Sequence, residues 1–164
     1  MQRNPWIRDW SRVGEIFTTN VWEFSNPHTQ SNYYRPIHML LHMLSYAISG
    51  LEPHGYHLIN ILLHSLCTVW VVLIGYLLTG NKFVSYSGGL IFALHPIHAE
   101  SVSWIAAVPD PSCAFFYFGA LYFYRKDQKD ESKRLPLTLT LVFFLFALTV
   151  HDHPRIGEMG VVRS

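Results

Sequence analysis

Between Tyr56 and Thr79 the chain runs for 24 residues, YHLINILLHSLCTVWVVLIGYLLT, without a single Asp, Glu, Lys or Arg. As a helix rising 1.5 Å per residue, such a run is about 36 Å long, enough to cross a hydrocarbon core of about 30 Å. Gly80, Asn81 and Lys82 then supply a turn and a charge that end it. The whole chain has the same character: of 164 residues 50% are apolar and 14% charged, with a mean hydropathy of +0.18, and the charges are segregated into loops. That composition excludes a disordered tail. Twelve Lys or Arg against eleven Asp or Glu leave a net charge of +1, which offers no phosphate-tracking surface, so no nucleic-acid partner is expected. Cys67 and Cys113 sit inside apolar runs, and neither a disulfide framework nor a cysteine zinc site is indicated.

The expected fold class is therefore an all-α integral membrane protein of about four transmembrane helices. Beyond the span at 56–79, a second is expected at about 83–95, short for a bilayer and running into HPIHAE. The stretch from Ser101 to Tyr124 is broken at Pro109-Asp110-Pro111, where prolines remove backbone donors. It reads as a short helix, a break and a span over about 111–124. A fourth span covers about 135–150, LPLTLTLVFFLFALTV, with Pro136 in its first turn. The loops at 80–83 and 125–134 carry Lys82, Arg125, Lys126, Lys129, Lys133 and Arg134, whereas His95 to Asp110 carries no Lys or Arg and holds Glu100 and Asp110. The basic loops are then cytoplasmic and the His95–Asp110 connection extracytoplasmic. Residues 1–55 form an extracytoplasmic loop without the apolar core of a signal peptide. Within it, 37–49 makes an interfacial amphipathic helix opened by Pro36 and closed by Gly50. Residues 151–164 are an atypical tail. No internal repeat or low-complexity tract is present.

Polar residues gather at the expected extracytoplasmic side in three clusters: Tyr34 and Arg35 with His38 and His42; Tyr56, His57, Asn60 and His64; and His95, His98 and Glu100 followed by Asp110. His57, Asn60 and His64 share one helical stripe at i, i+3 and i+7. Ionisable groups beside a span are costly and usually face a cavity or a partner. Each cluster also has a plainer reading. His64 can serve as a helix-packing donor. His38 and His42 can be partly solvated on an interfacial helix, although their i, i+4 spacing also suits a metal. Arg35 can snorkel to headgroups, and the HxxHxE stretch can cap a short helix.

The string HPIHAESVSWIAAVPD, together with YHLINILLH and YYRPIHMLLHMLSYAISGLEPHGYHL before it, resembles the membrane half of the transmembrane and tetratricopeptide-repeat family. These are O-mannosyltransferase-like proteins of the C-type glycosyltransferase superfamily. The resemblance runs from Asn4 to about Val150, and SVSWIA looks closer to the family's bacterial branch. It implies a partial C-type glycosyltransferase fold, in a bacterial inner membrane or the endoplasmic reticulum. The implied reaction moves a mannose-like sugar from a polyprenyl- or dolichyl-phosphate donor to a protein hydroxyl on the extracytoplasmic face. The partners implied are membrane lipid, a protein acceptor and the remaining spans and repeats of a full-length protein; whether a divalent metal helps hold the donor phosphate is left open.

Carried residue by residue, the resemblance makes Glu100 and Asp110 the catalytic candidates. They belong to its second acidic segment and help orient base, acceptor or donor phosphate. Arg35, Tyr34, His57, Asn60, His95 and His98 become substrate-binding candidates, with Arg35 placed to grip the lipid phosphate; no residue is assigned to a metal. The chain departs from the family in lacking a first span and acidic pair upstream of Asn4, in having Val108 where many relatives carry a basic residue, and in its tail. A fragment inactive alone is accordingly expected. Two other classes compete. One is a histidine-rich membrane metal protein, requiring three imidazoles to converge on one point. The other is a non-catalytic membrane remnant.

Overall fold

A computed structural model describes residues 8–16, 36–128 and 135–150. The candidates Tyr34 and Arg35, the tail 151–164 and the charged stretch 129–134 lie outside the described residues. Those described are helical, with no strand among them: α1 Val13–Ile16, α2 Pro36–Ser49, α3 Pro53–Thr79, α4 Lys82–Leu94, α5 Ala99–Ser103, α6 Pro109–Asp127 and α7 Leu135–Val150. Short 3-10 turns at Trp10–Arg12, Pro96–His98 and Ile105–Ala107 lead into α1, α5 and α6.

The helix ends follow from single residues. Pro53 occupies the first turn of α3, where a missing N–H costs nothing. At the other end Gly80 takes φ +66° and returns its N–H to Tyr76 O at 2.8 Å, the left-handed cap that favours glycine. Asn81 at once opens α4, its side-chain oxygen accepting from the N–H groups of Phe83 (2.9 Å) and Val84 (3.4 Å). The prolines of the Pro109-Asp110-Pro111 segment start α6; the chain breaks just before them, over Trp104–Val108.

α3 is the axis of the bundle. It runs antiparallel to α4, and the two approach closely where side chains are small. A Cβ on Gly75 would touch Ser85, and one on Gly89 would run into Val72. α6 runs alongside α3 in the same direction, joined by Cys67 Sγ donating to Pro111 O at 3.4 Å and by Trp70, whose ring lies 5.2 Å from Tyr122 and 6.1 Å from Phe115. α7 returns antiparallel to α6. There Phe116 stacks on Phe146 at 5.3 Å, and Phe143 lies over Gly119 and within 5.4 Å of Phe123. The top of the bundle is thus where α3 and α6 begin and α4 and α7 end. The bottom carries Lys82, Arg125 and Lys126.

Among the described residues one helix, α3, is long and apolar enough to cross a membrane, with 27 residues and a mean hydropathy of 2.2 over its most apolar stretch. Only 11% of that stretch is buried inside the protein, unlike the core helix of a soluble domain. α4 and α7 are apolar but shorter; 13 residues in α4 give about 20 Å. Rows of large apolar side chains on α3, α4 and α7 stay exposed, among them Leu66, Val69, Leu90, Ile91, Leu141 and Leu145.

α2 packs across the top of α3. Its inner face buries Met39 and Met43 with Ile16 of α1 in a small apolar cluster. His38 and His42, expected to be partly solvated, are buried instead at 4% and 0% exposure. They sit at i and i+4 on this inner face with rings 4.3 Å apart, and His42 also lies 5.7 Å from Tyr56. Burial pushes the His42 imidazole down to about 4, so it is held neutral.

Two measurements check this packing. Gly119→Ala drives a methyl into the Phe143 ring and should destabilise by about 1–3 kcal/mol. Gly88→Ala meets open space and should be neutral or stabilising by up to about 1 kcal/mol; denaturant titration in micelles gives both signs. For His42, the unfolded chain binds the proton first as pH falls below the ordinary imidazole value. Stability should therefore decline between about pH 6.5 and about pH 4, by roughly 1.4 kcal/mol per unit at most. His42→Leu should abolish that part of the slope, read from unfolding midpoints across the range.

Candidate functional site

Three side chains one turn apart on α3 organise the top of the bundle. Tyr56 donates its hydroxyl to Gly50 O at 3.1 Å. Asn60 donates its amide to Trp104 O at 3.0 Å and Val102 O at 3.4 Å. His64 Nε2 lies 3.3 Å from Ala93 O; a carbonyl only accepts, so this nitrogen carries the hydrogen. Each acceptor sits at the carboxyl end of a different helix: Gly50 follows α2, Ala93 lies in the last turn of α4, and Val102 and Trp104 end α5. Such terminal carbonyls have no partner within their own helix. The local sequence makes the arrangement fit. Gly55 lets α3 press against Ser49 where a Cβ would collide with it, and Ser49 donates to Glu52 O at 3.0 Å, closing the α2–α3 turn.

Above α4 the chain turns through His95–His98. His95 Nδ1 accepts from the Ile97 N–H at 3.2 Å, which starts the 3-10 turn with Pro96 in its first position. The turn swings His98 back over the bundle, its ring 4.4 Å from Phe92 and 5.2 Å from His64, while His64 stacks on Phe92 at 5.3 Å and 19°. His95 lies 6.3 Å from His98. Burial, helped by His64 and His95, lowers the His98 pKa from its ordinary value, which favours the neutral ring as a hydrogen-bond donor. Glu100 stands exposed in the first turn of α5, its carbonyl accepting the Trp104 N–H at 2.9 Å. Asp110 is exposed in the first turn of α6, where the helix dipole favours an acid.

The structure therefore joins His64 and His98 through Phe92, with His95 beside His98, and binds Asn60 to the segment that carries Glu100. His57 is half-buried, and the ring pairs that build the cluster are formed by His64, Phe92, His95 and His98. Asn60 is fully buried, and its donor capacity is directed at backbone. Phe92 and Trp104, absent from the sequence candidates, are both part of the assembly; the i, i+4, i+8 spacing of Tyr56, Asn60 and His64 was the available signal for it. Among the described residues no three His, Cys, Asp or Glu side chains are placed to hold one metal ion, so the convergence that a histidine metal centre demands is not formed by them.

Comparison with known proteins adds an independent line. No family model matches the chain, and no solved structure does. Among curated proteins, the chain is 37% identical over 127 residues to protein O-mannosyl-transferase TMTC2 of Homo sapiens, covering 77% of this chain and 14% of that protein. It is 32% identical over 115 residues to protein O-mannosyl-transferase Tmtc1 of Drosophila melanogaster, 70% of this chain and 13% of that one. With human TMTC3 it shares 28% over 148 residues, 89% of this chain and 16% of the relative. The chain spans about a seventh of the length of the first of these relatives. Over that aligned stretch, the chain belongs to the TMTC family of protein O-mannosyl-transferases.

Proposed function

We propose that this chain is part of a polytopic membrane glycosyltransferase that moves a mannose-like sugar from a polyprenyl-phosphate donor to a protein hydroxyl, at the face of the membrane where α3 begins. One observation carries the reading. The histidines of the 95–98 turn, Asn60, and the acids Glu100 and Asp110 all sit at one end of a bundle whose opposite end holds Lys82, Arg125 and Lys126. Relatives named as O-mannosyl-transferases support it. In this reading α3, α4, α6 and α7 all lie in the membrane, the basic end faces the cytoplasm, and α2 lies at the opposite interface.

The chemistry asks for two things. A carboxylate must draw the proton from the acceptor hydroxyl as its oxygen bonds to the sugar's anomeric carbon. Cations or N–H donors must stabilise the phosphate that leaves with the lipid as the old bond breaks. Glu100 and Asp110, which share this end with Glu52, assist in orienting base and acceptor. Arg35 supplies a positive group for the phosphate, and Tyr34 with the ring N–H groups of His57, His95 and His98 supplies hydrogen-bond donors.

Two experiments test the reading. With Cys67 and Cys113 replaced by serine, a membrane-impermeant maleimide should label Ser101→Cys from the extracytoplasmic side and Gln128→Cys only after permeabilisation; labelling of both from one side sinks the topology. In nanodiscs holding the full-length protein of which this chain is part, supplied with a polyprenyl-phosphate mannose donor and a hydroxyl-bearing peptide, Glu100→Gln should lower transfer by about 10²- to 10⁴-fold while leaving donor retention nearly unchanged. Arg35→Ala should weaken donor retention by about tenfold. Transfer unaffected by the loss of Glu100 removes it from the reaction.

A further inference from the structure

We infer that Asn60 is a positioning residue, whose buried carboxamide fixes the short helix bearing Glu100 and thereby sets where that carboxylate points. The inference rests on the reading of Glu100 given above and adds to it the group that holds Glu100 in place. Four observations carry it. Asn60 is 0% exposed, so its side chain is shielded from solvent. Its amide makes two bonds, to carbonyls 42 and 44 residues further along the chain, so it ties α3 to α5 across a long stretch of sequence. α5 has only five residues, too few to hold its own geometry in isolation. Trp104, whose carbonyl Asn60 grips, donates its own N–H to the carbonyl of Glu100. The link from Asn60 to Glu100 is therefore a continuous run of hydrogen bonds: amide to Trp104 oxygen, Trp104 nitrogen to Glu100 oxygen.

The alternative for these carbonyls is unfavourable. Residues 102 and 104 direct their carbonyls to the fully buried Asn60 on the flank of α3, and a part-buried carbonyl that loses its donor costs more than a made bond returns. A donor is what the place needs, and of the residues close to Asn in shape neither Leu nor ionised Asp provides one. Protonated Asp does, which makes Asn60→Asp a reversible version of the latch.

The test uses the full 164-residue chain in nanodiscs, with Cys67 and Cys113 replaced by alanine and a nitroxide on Glu100→Cys. With Asn60 present the label should be immobilised at neutral and acid pH alike, which also controls for titration of His57, His64, His95 and His98. Asn60→Leu should release it, raising the mobile population by about tenfold, the worth of one hydrogen bond. Asn60→Asp should release it once the pH is raised far enough to ionise the carboxyl, whose pKa burial lifts, and restore it on acidification of the same sample, a recovery that a misfolded protein would not show. Label motion unchanged in both variants, or an Asp variant indifferent to pH, overturns the inference. In the full-length protein with Glu100 intact, Asn60→Asp should lower kcat for sugar transfer while KM for the lipid donor stays within about threefold, because the donor site is untouched. The readouts separate the claims: transfer by the full-length protein that survives Glu100→Gln removes the reading of Glu100, whereas unchanged label motion removes Asn60 as its support.

Discussion

Helix carboxyl ends that must find donors away from water govern the upper half of this protein. α2, α4 and α5 all stop near the top of α3, and each leaves carbonyls that its own turns cannot satisfy. Tyr56, Asn60 and His64, stacked along one face of α3, answer those of α2, α5 and α4 respectively. In an apolar surrounding an unmet carbonyl costs several kcal/mol, so these three bonds decide which segments lie beside α3 and in what sequence. The polar loop over residues 95–108 is ordered because its two ends are held by the same helix, through His64 near its start and Asn60 near its finish.

Below that level the forces change character. Trp70 reaches from α3 to α6 and α7, with Phe115, Tyr122, Phe123 and Phe143 around it. Gly119 admits the Phe143 ring, and Gly75 and Gly89 bring α4 against α3. Close approach at small residues with aromatic interlocking is what drives helix association where no difference in hydrophobicity is available. The apolar half fixes the spacing of the helices, and the capping half fixes the loops upon them.

Much of this was legible in the sequence because it is local. An uncharged run ended by Gly80-Asn81 gives α3 and the turn into α4, since glycine alone takes the left-handed cap cheaply and asparagine opens a helix. Pro36, Pro53 and Pro109 stand in first turns for an equally local reason. The partners were less legible. A stripe of His57, Asn60 and His64 is compatible with helical periodicity, yet it is Tyr56 that shares the capping face with Asn60 and His64, while His57 stands apart. Periodicity ranks faces; it does not say what lies against each one. For the same reason His38 and His42 suggested a solvated helix surface, whereas the face they share turns inward against α1 and α3. The ring contact of His98 with Phe92 depends on a 3-10 turn whose direction no residue type specifies by itself.

α4 is about half as long as its neighbour: 13 residues against 27. Its last turn meets α3 at the level of His64, so the first eleven residues of α3, from Pro53 to Leu63, rise above it, roughly 16 Å of helix. Set upright in a bilayer, α3 would thus have on one flank a step rather than a wall, floored by the end of α4 and roofed by the 95–108 loop. Lipid on that flank meets hydrogen-bonded backbone instead of a continuous apolar cylinder, and its headgroups can settle deeper there than around the rest of the bundle. Under the function proposed above, such a step would let the donor's phosphate reach the level of the loop while its tail stays in the leaflet that dissolves it.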